Sequence, residues 1–464
     1  MYSLIPNLYQ HYLAHPQVTT DSRVCPPGSI FFALKGEHFD GNRYALSALS
    51  QGCSLVVVDD YEVAAEIAAS GSSSYMLVPD VLTALQQLSA YHREQFKVWD
   101  RPVHVVGITG TNGKTTTKEL IREVLSRRYR VLATEGNLNN QIGVPLTLLK
   151  VSPSDEIAII EMGANHPMDI AELCELSRPD YGLITNVGKA HLQGFGSFEG
   201  VIDAKTKLYD SLKLTGGTVL IDSGNEYLAN RAEGLASRTY ARHGVPVVAH
   251  LPRPEVTGEL LDCSPFLSLR LHSEEESIDV QTNLIGDYNL INIVAAATVG
   301  RAFGVSLSEV KEAVEQYHPT NMRSQLIDMG HGHRIILDAY NANPSSMMAA
   351  LQSFSLNSDR HKCLVLGDMR ELGADSEVEH RRIIDYLMTE QTFGDVLLVG
   401  SEFGKAFSSL TDAELMQLAA SRSVRCYDSV NELCADFAVL DNLVGTVLVK
   451  GSRGIGLEKA FKRG

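Results

Sequence analysis

Along this chain, short runs of β-branched and aliphatic residues alternate with longer stretches whose apolar positions recur at helical spacing. Continuous apolar runs of roughly four to eight residues suit strands buried on both faces, and the helical period suits segments lying against them. In a first block, Met1 to about Asp100, Ser29 to Leu34 and Ser54 to Val58 read as strands. The polar segment 95–102, ending in Arg101-Pro102, reads as a linker. In a second block, Val103 to Thr109 is a β-branched run and a helix is expected from Lys114 to Arg127, with Leu120, Ile121, Val124 and Leu125 on one face. Further strands are expected at Ile157 to Glu161, Gly182 to Thr185 and Val219 to Ile221. A third block begins near His318-Pro319, with strands expected at Arg334 to Leu337, Cys363 to Leu366, Val396 to Val399 and Thr446 to Val449. The pattern predicts an α/β protein of three domains, 1–99, 100–317 and 318–464, the second built on a parallel sheet and the third Rossmann-like.

The sharpest local signal lies between the first strand and the helix of the second block. Gly107-Ile108-Thr109-Gly110-Thr111-Asn112-Gly113-Lys114-Thr115-Thr116 has the strand–loop–helix context of a phosphate-binding loop, making the central sheet one of P-loop ATPase type. Glycines let backbone N–H groups converge on phosphate oxygens at a helix N-terminus. On this reading residues 110–116 bind ATP, Lys114 reaches the β- and γ-phosphates from an exposed loop, and the Thr115 hydroxyl ligates Mg²⁺. The spacing departs from the general motif, because position 108 is isoleucine and the glycine pair is Gly110 and Gly113.

Composition narrows the partners. Forty basic against fifty-six acidic residues give a net charge of −16, which disfavours nucleic acid and anionic membranes as partners. The longest basic cluster, Arg127-Arg128-Tyr129-Arg130, reads as a solvated helix end. No apolar run is long enough to span a membrane, and the first ten residues lack the basic and apolar regions of a secretory signal. Seven scattered cysteines, never spaced C-x-x-C, argue against a disulfide framework or zinc site and for a reducing cytoplasm. A monomer is expected.

Several further motifs follow the phosphate loop in order. They are Glu161-Met162-Gly163, Thr185-Asn186-Val187 with His191, Gly200 to Lys205, and Gly286-Asp287-Tyr288-Asn289 with Asn292. Arg323 and Asp338-Ala339-Tyr340-Asn341-Ala342-Asn343-Pro344 come next, and Thr20-Asp21-Ser22-Arg23 with Ala33 to Gly36 precede them all. Together with the form T-G-T-N-G-K-T-T, this series resembles the Mur ligase family over nearly the whole chain. Within the family, Asn341 to Met347, Leu366 to Gly373 and Val449 to Arg453 resemble the member that adds D-alanyl-D-alanine to a UDP-muramoyl tripeptide. Gly454 stands where the family usually shows serine, and Tyr288 where several relatives show histidine.

The resemblance implies an acyl-phosphate ligase using ATP and two Mg²⁺ sites. Glu161, Thr115, His191 and a carbamylated Lys205 would hold the metal, with Lys114, His191 and Lys205 catalytic. Read alone, Lys205 is a surface helix lysine like Lys207, and His191 a satisfied polar residue. Asn289 and Asn292, spaced to share a helix face, would meet the adenine or phosphate region, with Arg323 as a phosphate clamp and Asp338 as a ribose acceptor. Ser22, Arg23 and Lys35 would bind the uridine part of the substrate, Asn139 and Asn140 the muramoyl part, and Asn341 and Asn343 the dipeptide. A polar loop with a glycine turn explains Asn139 and Asn140 nearly as well. The alternatives are another amide ligase of the family, such as the diaminopimelate- or lysine-adding member or folylpolyglutamate synthase, or a nucleotide-binding switch that ligates nothing. Gly451 to Gly456 has the wrong glycine order for a dinucleotide dehydrogenase.

Overall fold

The computed structural model describes residues 4–188, 192–320, 322–330, 333–420 and 422–461. Its strands form three main sheets, one per sequence block. The first is parallel, in the order Val18–Thr19, Ile30–Phe32, Leu55–Val58 and Tyr75–Leu77. The Asp80 carboxylate caps the helix Val81–Gln95 by accepting the Thr83 N–H at 2.6 Å. This helix ties the first sheet to the second domain. Buried Arg93 donates to the Ser177 and Arg178 carbonyls, both at 2.7 Å, and pairs with Asp180 at 3.1 Å.

The central sheet has nine strands. Seven run parallel, in the spatial order Val256–Cys263, Ser237–Arg242, Thr218–Asp222, Tyr181–Ile184, His104–Thr109, Ile157–Glu161 and Val131–Ala133. The expected parallel sheet is thus present, extended by two antiparallel strands, Phe266–His272 and Ser277–Ile285. Fully buried Ile157–Glu161 shows why its run is apolar up to Glu161 at the strand end, since helices cover both faces. Register sets Ile184 beside Thr109 and Ile108 beside Glu161, so three adjacent strands end together at one carboxyl edge. Open α/β sheets bind their ligands at such an edge.

The third sheet has the order Gln325–Gly330, His333–Asp338, Thr446–Lys450, Lys362–Gly367, Val396–Val399 and Val424–Tyr427, parallel except for the first hairpin. Register pairs Asp338 with Lys450 at its carboxyl edge. Among the described residues, no helix is long and apolar enough to cross a membrane.

Candidate active site

The carboxyl edges of the second and third sheets face a common cavity of about 920 Å³, which Leu82 of the first domain also lines. At its floor, the strand His104–Thr109 turns through Gly110 to Gly113 into the helix Lys114–Leu125. Gly110 has φ +146, and a Cβ there would stand 1.9 Å from the Thr185 hydroxyl. Gly113 has φ +77, and a Cβ would stand 2.8 Å from Asn292 Oδ1. Only glycine fits either place.

Not every N–H of the loop is available to a phosphate. Thr111 N–H donates to the Asn186 carbonyl at 2.9 Å and Asn112 N–H to Asn186 Oδ1 at 3.0 Å. The N–H groups left for an anion are those of residues 113–116, at the start of the helix, where its dipole also favours negative charge. Lys114 is half-buried, against the expected exposed loop. Its ammonium donates to the Gly110 carbonyl at 2.7 Å and the Thr111 carbonyl at 3.2 Å. Burial lowers its pKa, Arg323 adds to the shift, and Glu161 opposes it.

Glu161 is buried at the next strand end. Its Oε1 accepts from Thr115 Oγ1 at 3.1 Å and from Asn139 Nδ2 at 2.9 Å. Its Oε2 is buried without a hydrogen-bond partner. A carboxylate oxygen left unpaired beside a threonine hydroxyl makes a hard oxygen donor set, which fits Mg²⁺. Lys205 is only 3 % exposed, whereas Lys207 is half-exposed and paired with Asp210 at 3.0 Å. Among the described residues, Lys205 Nζ makes no hydrogen bond or ion pair, and it lies 5.8 Å from the Phe195 ring centroid. Burial, and then the Lys114 charge, pushes its pKa well below the ordinary lysine value.

The walls carry the remaining expected residues, with some corrections. Asn139, Asn140, Asn289, Asn292, Arg323, Asp338, Asn341 and Asn343 all line the cavity. The two helix asparagines line the cavity with amides that are partly engaged inside the protein. Asn292 donates to Asn289 Oδ1 at 3.0 Å and Asn289 to the Ile285 carbonyl at 2.8 Å, because both are buried against the sheet. Asn343 is committed as a helix cap, its Oδ1 accepting the Ser346 N–H at 2.9 Å while its Nδ2 donates to Asn112 at 2.8 Å. Asp338 pairs with buried Lys450 at 2.5 Å. Ser22, Arg23 and Lys35 do not line this cavity; Arg23 pairs with Asp21 at 2.7 Å and Lys35 with Asp59 at 2.8 Å. His191 lies outside the described residues.

Three contributors were not singled out from sequence. Tyr340 lies between two guanidinium groups, Arg323 at 4.0 Å and Arg453 at 5.1 Å from its ring centroid. Asn186 organises the phosphate loop, and Glu371 brings a carboxylate to the wall from a left-handed backbone position, φ +67. All three stand inside sequence motifs, at Asp338 to Pro344, Thr185 to Val187 and Leu366 to Gly373, and only the positive φ of Glu371 had no signal there.

A phosphate loop, a carboxylate at the adjacent strand end and a buried lysine define a nucleotide-dependent phosphoryl-transfer or ligase site. Comparison with known proteins makes the class specific. Models of the Mur ligase family catalytic domain, the Mur ligase middle domain and the Mur ligase glutamate ligase domain match residues 16–93, 108–300 and 322–453. The protein named UDP-N-acetylmuramoyl-tripeptide--D-alanyl-D-alanine ligase from Bacillus subtilis (strain 168) is 33% identical, over 99% of this chain and 96% of its own. Its namesake from Escherichia coli (strain K12) is 32% identical, over 96% and 92%. The crystal structure of MurF from Acinetobacter baumannii matches with a TM-score of 0.81 at 28% identity, covering 96% of this chain and 92% of that one. This chain belongs to the Mur ligase family.

Proposed function

We propose that this chain joins D-alanyl-D-alanine to UDP-N-acetylmuramoyl tripeptide in an ATP-dependent reaction, forming the UDP-N-acetylmuramoyl pentapeptide used for peptidoglycan, as a cytoplasmic monomer. The observation that carries the reading is the meeting of Lys114, Glu161 and buried Lys205 with third-domain residues around one cavity. The activity for which its relatives are named supports it.

A tripeptide carboxylate oxygen attacks the γ-phosphorus of ATP, the bond to the β–γ bridging oxygen breaks, and ADP leaves. The dipeptide amine then attacks the acyl carbon, loses a proton, and inorganic phosphate departs. Two anions meet in the first step, so charge neutralisation and alignment are the main tasks. The N–H groups of 113–116 and the Lys114 ammonium bind and orient the γ-phosphate. Thr115 and Glu161 would hold Mg²⁺, with Lys205, as its carbamate, and His191 holding a second; the metal supplies positive charge to the phosphoryl oxygens when bound.

Arg323 steadies phosphate, Asp338 accepts from ribose, and Asn139 and Asn140 face the muramoyl group. Residues 1–99, with Ser22, Arg23 and Lys35, hold the uridine part; 100–317 bind ATP; 318–464 bring the acceptor through Asn341 and the loop Lys450 to Arg453.

Coupled phosphate release tests the reading. Phosphate should appear with ATP, UDP-muramoyl tripeptide and D-alanyl-D-alanine together, and hardly with either substrate alone. Free D-alanine, meso-diaminopimelate or L-glutamate should not replace the dipeptide, because buried polar groups left unpaired typically reduce kcat/KM by about 10⁴-fold. If UDP-muramoyl dipeptide with diaminopimelate is the better pair, the proposed reaction is wrong.

A further inference from the structure

The side chain of Asn112, in the phosphate loop, closes a hydrogen-bonded ring with the third domain at the edge of the cavity. Its Oδ1 accepts from Asn343 Nδ2 at 2.8 Å, and its Nδ2 donates to Ser345 Oγ at 2.9 Å. Ser345 Oγ in turn donates to Asn343 Oδ1 at 2.9 Å. The main chain of Asn112 is equally occupied. Its N–H donates to Asn186 Oδ1 at 3.0 Å, and its carbonyl accepts from Thr185 Oγ1 at 2.6 Å and Asn186 Nδ2 at 3.0 Å. The main-chain N–H and carbonyl of Asn112, its Oδ1 and one N–H of its Nδ2 are thus all engaged within the protein.

We propose that Asn112 is a positioning residue that recognises the third domain and sets the acceptor side of the cavity in register with the phosphate loop. The ring fastens the first turn of the helix Pro344–Ser355, and Tyr340 and Asn341 immediately precede that turn on the cavity wall. A displacement of this helix start therefore moves the acceptor-side wall relative to the γ-phosphate position, and near-attack geometry tolerates about 1 Å of such error poorly. Calling that wall the acceptor side rests on the proposed reaction.

The test separates acceptor use from nucleotide binding. For Asn112→Ala, the KM for D-alanyl-D-alanine should rise about tenfold, as expected from two lost neutral hydrogen bonds, while the dissociation constant for ADP by calorimetry should rise by a clearly smaller factor, because the phosphate loop stays intact and only the third-domain contacts of Arg323 and Asp338 shift with the wall. Ser345→Ala should show a smaller rise. The double variant should be no worse than Asn112→Ala alone, because both act through one ring. Ser345→Val, which leaves the phosphate loop untouched, serves as the second probe if Asn112→Ala folds poorly, and it should give the same split. Small-angle scattering of the ADP-bound protein should show a larger radius of gyration for Asn112→Ala than for wild type.

Weakened ADP binding with unchanged dipeptide KM would make Asn112 a nucleotide ligand and overturn the proposal, as would additive effects in the double variant. The scattering arm needs no acceptor. A wild type with no dipeptide-dependent turnover would therefore defeat the reaction assignment while this arm still tests the latch.

Discussion

Burial strips the Lys205 ammonium of water, and the Lys114 charge adds to the cost of protonating it. A neutral amine can attack the carbon of CO₂, form a C–N bond and release a proton, and the proposed carbamate would add a carboxylate-like group to the cavity that Glu161 also lines. Lys205→Ala should therefore lose turnover, and formate or acetate should restore part of it by filling the vacated oxygen-donor place. A ¹³C-bicarbonate carbamate resonance should be present in wild type and absent in the variant. Full activity of Lys205→Ala, or equal carboxylate stimulation of Lys207→Ala, would remove the assignment. Helical spacing sets Lys205 in the row of Val201, Leu208 and Leu212 and leaves Lys207 off it, but only the packing shows that this row is buried deeply enough to strip the amine of water. Gly110 is different, because its need is local and legible. Gly110→Ala combines φ +146 with a Cβ 1.9 Å from Thr185 Oγ1, and urea unfolding should show a loss of about 3 kcal/mol or more. Gly136, with φ +56 and nothing within 4 Å, is the control, and its alanine variant should lose about 1 kcal/mol. Equal losses would show that the contact with Thr185 is not what confines position 110.

At the scale of elements, the end of the phosphate-loop helix is held by a neighbouring cap. Ser306 and Glu309 form a capping box on the helix Leu307–Gln316, and Arg128 grips the Glu309 carboxylate with two hydrogen bonds of 2.8 and 2.9 Å. The Arg128 guanidinium, with the Ser306 hydroxyl and N–H, holds that carboxyl at about 2, below its ordinary 4.5. A folded-state pKa below the unfolded value stabilises above pH 4.5 and is lost as pH falls through about 2. Wild type should thus exceed Glu309→Gln in urea resistance by up to about 1 kcal/mol at pH 7, since the pair faces solvent, and the gap should close as pH falls. A gap independent of pH would show that the carboxylate charge plays no part. The cap spans S-L-S-E and could have been read locally, as could the strands Ile157–Glu161, apolar up to its terminal Glu161, and Val396–Val399, apolar throughout, because helices cover both faces. The two antiparallel strands Phe266–His272 and Ser277–Ile285 escaped the same reading. The second of them mixes exposed and buried positions, so it contains no long apolar run to find.

Across the whole molecule, chemistry depends on groups that meet from three domains. Leu82 comes from the first, Lys114 and Glu161 from the second, and Arg323, Asp338 and Tyr340 from the third. The local motifs of this site were legible because each occupies one strand end and its loop. Their pairing across domains was not, because Asn112 and its partners Asn343 and Ser345 are 231 and 233 residues apart in sequence. The same separation has a kinetic consequence. A phosphate loop open to water would let ATP hydrolyse, whereas a cavity completed by substrate excludes water and assembles the third-domain wall over the γ-phosphate. The tripeptide carboxylate is the nucleophile of the first step, so ATP and UDP-muramoyl tripeptide without dipeptide should form the acyl phosphate once and then stall. Sustained phosphate release should then fall to about a hundredth of the rate with dipeptide present, set by leakage of the intermediate to water. Rapid-quench assays of the denatured complex should recover at most one phosphate per enzyme as a burst, with slow release thereafter. Steady release at a rate comparable to ligation would mean that water reaches the acyl phosphate freely, and the three-domain cavity would then not be what protects it.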